Sequence, residues 1–115
     1  MVAREYVPGA GDVVWVDFSP QAGREQAGRR PAVVLSARIY NEKASLAVVC
    51  PVTSQAKGYP FEIAMPAGIA IRGVILADQL KSLDWRQRQV QKAGRIPAGV
   101  LMQLRKRVAV LLGIS

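Results

Sequence analysis

Glu25-Gln26-Ala27-Gly28-Arg29-Arg30-Pro31-Ala32-Val33-Val34-Leu35-Ser36 joins two unlike halves. The first half is a polar, glycine-containing loop with one carboxylate and two guanidiniums. The second is a short apolar run, 32–35, with the length and composition of a buried strand. Pro31 stands at the junction. Its ring clashes with a helical residue before it, so Arg30 is biased toward an extended backbone. The stretch therefore predicts a charged side chain held at the mouth of a core strand, where rigid scaffolds tend to carry chemistry.

Toward the N-terminus, Pro8-Gly9-Ala10-Gly11 is a turn signal and residues 12–18, rich in Val, Trp and Phe, read as the first strand. Ser19-Pro20-Gln21-Ala22-Gly23 breaks it. The connection from there to Arg30 is long for a hairpin, a length usually associated with function. Toward the C-terminus come a strand at 32–36, a polar connection over 37–44 and a third strand at 46–52. A second polar loop follows, Thr53-Ser54-Gln55-Ala56-Lys57-Gly58-Tyr59-Pro60. A fourth strand is expected at 61–65, a turn at Pro66-Ala67-Gly68, and a fifth strand at 73–80, interrupted by Asp78-Gln79. The segment 81–88 mixes basic residues with a Trp, and 90–96 has the pattern of a sixth strand. From Pro97, apolar residues recur at Val100, Leu101, Leu104, Val108, Leu111 and Leu112, which is helical spacing. Pro97 suits a first helical turn and Gly113 a C-terminal cap. Several short strands followed by one helix predict a mainly β fold, a small curved sheet or barrel with a C-terminal α-helix packed on it. The 115 residues suit one domain, 1–115, with a single core.

Sixteen Lys and Arg stand against eight Asp and Glu, a formal net charge of +8, and eleven of the sixteen are Arg. Such a surface attracts polyanions, and arginine favours bidentate phosphate contact and stacking. Histidine is absent, so acid–base chemistry falls to carboxylates, arginine, lysine, tyrosine or hydroxyls. The carboxylates are scattered and Cys50 is the only cysteine, which predicts no metal site, no cofactor and no disulfide within the chain. No apolar run has the length of a membrane span, and the N-terminus lacks a signal-type apolar core. A soluble, cytoplasmic protein is the expectation.

Two loops supply candidate site residues: Glu25, Arg29 and Arg30 from the first, Thr53, Ser54, Gln55 and Lys57 from the second. A carboxylate, a guanidinium and a hydroxyl suffice for RNA cleavage by its own 2′-hydroxyl, which needs a base, positive charge on the phosphorane and a proton for the departing 5′ oxygen. Glu25 fits the base and Arg30 the phosphate clamp. Thr53 fits a hydrogen-bond donor to phosphate. Plainer roles stay open for each. Glu25 can pair with Arg29, Arg30 can bind phosphate without catalysis, and Thr53 and Ser54 can cap a turn. Trp15 is expected in the core. Trp85, followed by Arg86 and Arg88, fits either the core or a stacking platform for unpaired bases. A non-catalytic basic barrel that binds nucleic acid and a module for an acidic protein partner are the alternatives that the charge also allows.

Five stretches carry a resemblance over nearly the whole chain. They are Gly11-Asp12-Val13-Val14-Trp15-Val16-Asp17-Phe18, the run 25–36 quoted first, Tyr40-Asn41, the run from Pro51 through Thr53-Ser54-Gln55-Ala56-Lys57-Gly58-Tyr59-Pro60 to Glu62, and Ala77-Asp78-Gln79-Leu80-Lys81-Ser82-Leu83-Asp84-Trp85-Arg86. The chain resembles the MazF/PemK-type toxins of bacterial toxin–antitoxin systems, and within them the MazF branch. The resemblance implies a small SH3-like barrel of the CcdB/PemK type with a C-terminal helix. It implies a metal-independent, sequence-specific endoribonuclease that cleaves single-stranded mRNA to 2′,3′-cyclic phosphate and 5′-hydroxyl ends and inhibits translation and growth. The family's catalytic arginine, threonine and glutamate correspond to Arg30, Thr53 and Glu25. An aspartate that is catalytic in some relatives points to Asp78. Arg29 stands where near relatives carry histidine, and tunes binding rather than chemistry. The RNA-binding set expected for this chain is Arg29, Ser54, Gln55, Lys57, Asp78, Gln79, Trp85 and Arg86. The implied partners are single-stranded RNA and a cognate acidic antitoxin, and the implied assemblies are a homodimer and a toxin–antitoxin heterohexamer.

Overall fold

The structure is a computed structural model that describes residues 5–18 and 28–114. Its elements in chain order are β1 (Asp12–Asp17), β2 (Arg29–Val34), α1 (Arg38–Ala44), β3 (Leu46–Thr53), β4 (Glu62–Ala64), β5 (Val74–Leu76), a 3-10 turn (Ala77–Gln79), β6 (Lys81–Asp84), β7 (Gln91–Arg95) and α2 (Ala98–Leu112).

The apolar run after Pro31 is the middle of the sheet. Strand order is β4-β5-β3-β2-β1-β7, with β6 also paired to β3. All of these pairings are antiparallel. β3 is the pivot. Its first half lies between β2 and β6, and its last residues pass to β5 through the pairs Val52↔Ile75 and Thr53↔Val74. Handing one strand from β6 to β5 curls the sheet into a small barrel-like form, and Thr53 falls at the rim.

Each face of the central strands buries its own apolar cluster, as period-two alternation requires. Val13, Val33, Cys50 and Ile75 pack on one side with Leu104 and Val108 of α2. Val14, Val16, Ala32, Val34 and Val49 pack on the other with Leu83 and Trp85. The helix ends where glycine allows: Gly113 takes φ +73, and Ile114 N–H returns to Ala109 O, as in a left-handed C-cap.

The mainly β architecture with a C-terminal helix is as the sequence predicted. Four local expectations change. β2 begins at Arg29, before the apolar run, because Arg29 and Arg30 pair with Asp17 and Val16 through the backbone, which side-chain polarity does not reveal. Residues 37–44 hold α1 and not an irregular connection. Its polar side chains face outward around one buried residue, Asn41. β6 was missed because only Leu83 of its four residues is buried. The expected strand at 73–80 stops at Leu76 and turns through Ala77–Gln79.

Candidate active site

Pro31 does what its ring predicts. Arg30 is extended within β2, and continuing the Ala32↔Pro51 register by two residues sets Arg30 across from Thr53. Both open onto a cleft of about 760 Å³ at the rim of the sheet. Trp15 and Pro31, a cross-strand pair, line one part of it. Ser54, Gln55, Lys57 and Tyr59 of the loop after β3 line another, with Arg72 and Gln79.

The loop is shaped by two hydrogen-bonding groups. Thr53 Oγ accepts from Gln55 N–H at 3.1 Å, the turn-capping role that its position allows. A hydroxyl that accepts still has its own hydrogen to donate, so this bond leaves Thr53 O–H available to a phosphate. Glu62, at the start of β4, accepts from Gly58 N–H at 2.9 Å and from Lys57 N–H at 2.9 and 3.2 Å. Its carboxylate therefore folds the loop back on itself. The sequence carries no signal for this, because the donors are backbone groups.

Gly73 fixes the other wall. A Cβ there would lie 2.0 Å from Thr53 O and 3.0 Å from Ser54 Cα, at a φ of +124. Only glycine lets this segment lie directly against the Thr53–Ser54 backbone.

The cleft is cationic. Arg30, Lys57 and Arg72 line it, and Glu62 is the one carboxylate that does. Among the described residues, the ion pairs involve Asp12 and Glu5, and none involves the three cleft cations. A concave, positively charged surface focuses its field on an anionic ligand. Among the described residues no three His, Cys, Asp or Glu side chains come together.

Of the residues expected in the site, Arg30, Thr53, Ser54, Gln55, Lys57 and Gln79 share the cleft. Glu25 lies outside the described residues. Four others stand elsewhere. Arg29 donates to Gln89 O at 2.6 Å, Gln91 Oε1 at 3.2 Å and Trp15 O at 3.3 Å, which ties β2 to the β7 side. Asp78 is on the 3-10 turn and does not line the cleft; its charge acts on Cys50, whose thiol burial and that charge push up to about 12.

Trp85 takes the core position of the two that its context allowed. It is 3% exposed, and its indole N–H donates to Asn41 O at 2.8 Å. Arg86 lies over its ring at 4.2 Å and donates to both Glu5 carboxylate oxygens at 2.8 and 3.0 Å. That hydrogen bonding holds the Glu5 carboxyl below its ordinary range. The Trp85–Arg86 pair is thus a separate corner of the molecule. Trp15, expected in the core, is 36% exposed beside Arg30. Val13 and Val14 are buried on opposite faces of β1, and Trp15, on the Val13 side, is its exposed residue. Trp15, Tyr59, Glu62 and Arg72 are the polar and aromatic cleft residues that sequence reasoning did not place in the site.

Fold and cleft together define a small barrel-like β protein with a cation-lined rim and a helix packed on one face. The chain belongs to the PemK-like, MazF-like toxins of type II toxin–antitoxin systems, whose family pattern matches residues 10–112. It is 49% identical over 113 residues to the endoribonuclease toxin MazF of Escherichia coli (strain K12), covering 98% of this chain and 100% of that protein. A crystal structure of a MazE–MazF complex from Deinococcus radiodurans (Form-III) matches with a TM-score of 0.89 at 52% identity, over 96% of this chain and 100% of that one. A MazF crystal structure from the same organism (Form-I) gives 0.86 and 53%, over 95% and 99%.

Proposed function

We infer that this chain is an endoribonuclease toxin of a type II toxin–antitoxin pair that cleaves single-stranded RNA, mRNA above all, at selected sequences in the cytoplasm. The family membership and the naming of its relatives as endoribonucleases support the activity. The observation that carries the mechanism is that Arg30 and Thr53, from separate strands, open onto one cationic cleft.

The chemistry that this cleft suits needs no metal or cofactor. The 2′-oxygen of one nucleotide attacks the adjacent phosphorus, the bond to the 5′ oxygen breaks, and a 2′,3′-cyclic phosphate and a 5′-hydroxyl result. The proton leaves the 2′-hydroxyl for a base and another reaches the departing oxygen. Arg30 grips the phosphate through its planar fork and stabilises the charge of the phosphorane. A guanidinium is a poor proton donor in proteins, so its role is electrostatic before it is acidic. Thr53 donates its hydroxyl hydrogen to a phosphate oxygen. Glu25 is the proposed base. Ser54, Gln55, Lys57 and Gln79 contact the flanking RNA. Arg29, Asp78 and Arg86 act at a distance or on RNA that leaves the cleft, while Trp85, buried in the core, supports the fold and not RNA contact.

A homodimer and a toxin–antitoxin heterohexamer are the proposed assemblies. The partner is an acidic antitoxin segment that orders on the basic toxin and covers the cleft; the solved MazE–MazF complexes of similar chains support it. Purified protein incubated with single-stranded RNA in EDTA tests the mechanism: cleavage to cyclic-phosphate ends is expected, and RNA left intact, or cut only with added metal, overturns it. Arg30→Ala abolishes cleavage and Lys106→Ala, on the exposed side of α2, does not. Equal losses would mark a general charge effect and not a site.

A further inference from the structure

We propose that Arg72 forms a second phosphate-binding subsite, holding a neighbouring phosphate of the RNA while Arg30 and Thr53 hold the scissile one. This rests on the ribonuclease reading above and adds a binding residue to it.

Placement is the first support. Arg72 stands two residues before Val74, the partner of Thr53 across β3–β5. Gly73, between them, is a bend at φ +124, so the chain turns at the start of β5 and Arg72 lines the same cleft as Arg30 and Thr53. The close approach at Gly73 is the second support. With no side chain at 73, the backbone that carries Arg72 lies against Thr53 O and Ser54 Cα. The subsite and the catalytic threonine are therefore held by one contact.

Electrostatics is the third. Arg72 is exposed, and among the described residues no carboxylate pairs with it. Glu62, the one acidic lining residue, has its oxygens engaged by the N–H groups of Lys57 and Gly58. An exposed guanidinium without an internal partner keeps its bidentate face for an anion, and its planar fork matches phosphate. At about 760 Å³ the cleft has room beyond a single phosphate group.

The test uses the full-length protein, a single-stranded RNA with one cleavage site, and a series in which one phosphate at a time is a neutral methylphosphonate. Arg72→Ala is expected to raise KM about ten-fold with kcat nearly unchanged, since it removes one charged hydrogen-bonded contact from ground and transition states alike. The slope of log affinity against log salt falls by about 0.7, one phosphate contact on a single strand. A methylphosphonate next to the scissile phosphate costs the wild type about the same ten-fold, and costs Arg72→Ala nothing further. Arg72→Lys falls between, and Lys106→Ala behaves as wild type.

Wild-type KM in Arg72→Ala overturns the subsite, as does a methylphosphonate profile that is identical in the two proteins. So does a loss confined to kcat. Weaker binding of an acidic peptide with unaltered RNA kinetics overturns it as well, and assigns Arg72 to a protein partner. The two readings fail separately. A wild type that cuts no RNA removes the ribonuclease reading, whereas a wild type that cuts RNA no better than Arg72→Ala removes only the subsite.

Discussion

Adding one methyl group at Gly73 tests how the rim that carries Arg30 and Thr53 is held together. In Gly73→Ala the new carbon would lie 2.0 Å from Thr53 O and 2.7 Å from Thr53 C. Ordinary carbon contacts sit at about 3.5 Å or more, so the two backbones must part by more than about 1 Å. Both contacting groups are main chain, so no side chain can rotate out of the way. Overpacking of this kind costs about 1–3 kcal/mol. Holding a non-glycine residue at a φ of +124 costs about another 1–3 kcal/mol. Against the roughly 5–15 kcal/mol of a typical domain, the variant still folds. Its Thr53, however, is displaced from Arg30, and a misplacement of about 1 Å is enough for roughly a hundred-fold loss of rate. The assay is cleavage of a fluorogenic RNA oligonucleotide for kcat, with urea unfolding of the same preparation for stability. Gly68→Ala is the control. Gly68 also has a positive φ, +92, but nothing lies within 4 Å of its Cβ position. It should lose stability and keep kcat. Wild-type kcat in Gly73→Ala, or an equal loss in both variants, refutes the close approach as the device that positions Thr53.

Three further outcomes are expected. Trp85→Phe keeps a buried ring and leaves Asn41 O only its Ser45 N–H donor, so urea unfolding should show a loss of about 1 kcal/mol with little change in KM for RNA; a large KM rise at unchanged stability would instead mean base stacking. Asp12 is fully buried and accepts from Tyr6 O–H, Gly9 N–H and Arg95, with Lys92 and Arg38 nearby. Asp12→Ala leaves Tyr6 O–H and Gly9 N–H without their acceptor while the three cations remain solvent-exposed, and should cost about 1–3 kcal/mol in denaturant titration; a near-neutral result would show that the network is not what pins β1 to β7. Cys50, its thiol pushed up to about 12 by burial and then by Asp78, should resist a thiol reagent at pH 8 until urea is added. Because the thiolate is disfavoured only in the folded state, stability should fall as pH rises from about 9 toward 12; a rise over that range would contradict the burial.

What could be read from the chain alone was whatever depends on local chemistry. Pro31 set the backbone of Arg30, the run after it marked the central strand, and the spacing from Val100 to Leu112 marked α2 up to its glycine cap. Arg30 and Thr53 stood out because each adjoins an apolar strand, and the charge pointed to an anionic ligand. The tertiary structure decided the rest, because the determining contacts join residues far apart in sequence. α1 is not marked by caps or a broad apolar stripe. It is organised around Asn41, whose side chain donates to Pro8 O and Ser36 O and whose carbonyl accepts from Trp85. β6 exists because β3 offers it an edge, and Trp15 faces the cleft because the sheet face it shares with Val13 opens at the rim, where it pairs with Pro31. Glu62, Gly73 and Arg72 enter the site only through backbone groups and register. A single sequence displays side-chain types and their periods. It does not display which backbone N–H a carboxylate will find, or which strand a glycine will lie against, and those contacts are what assemble the cleft around Arg30 and Thr53.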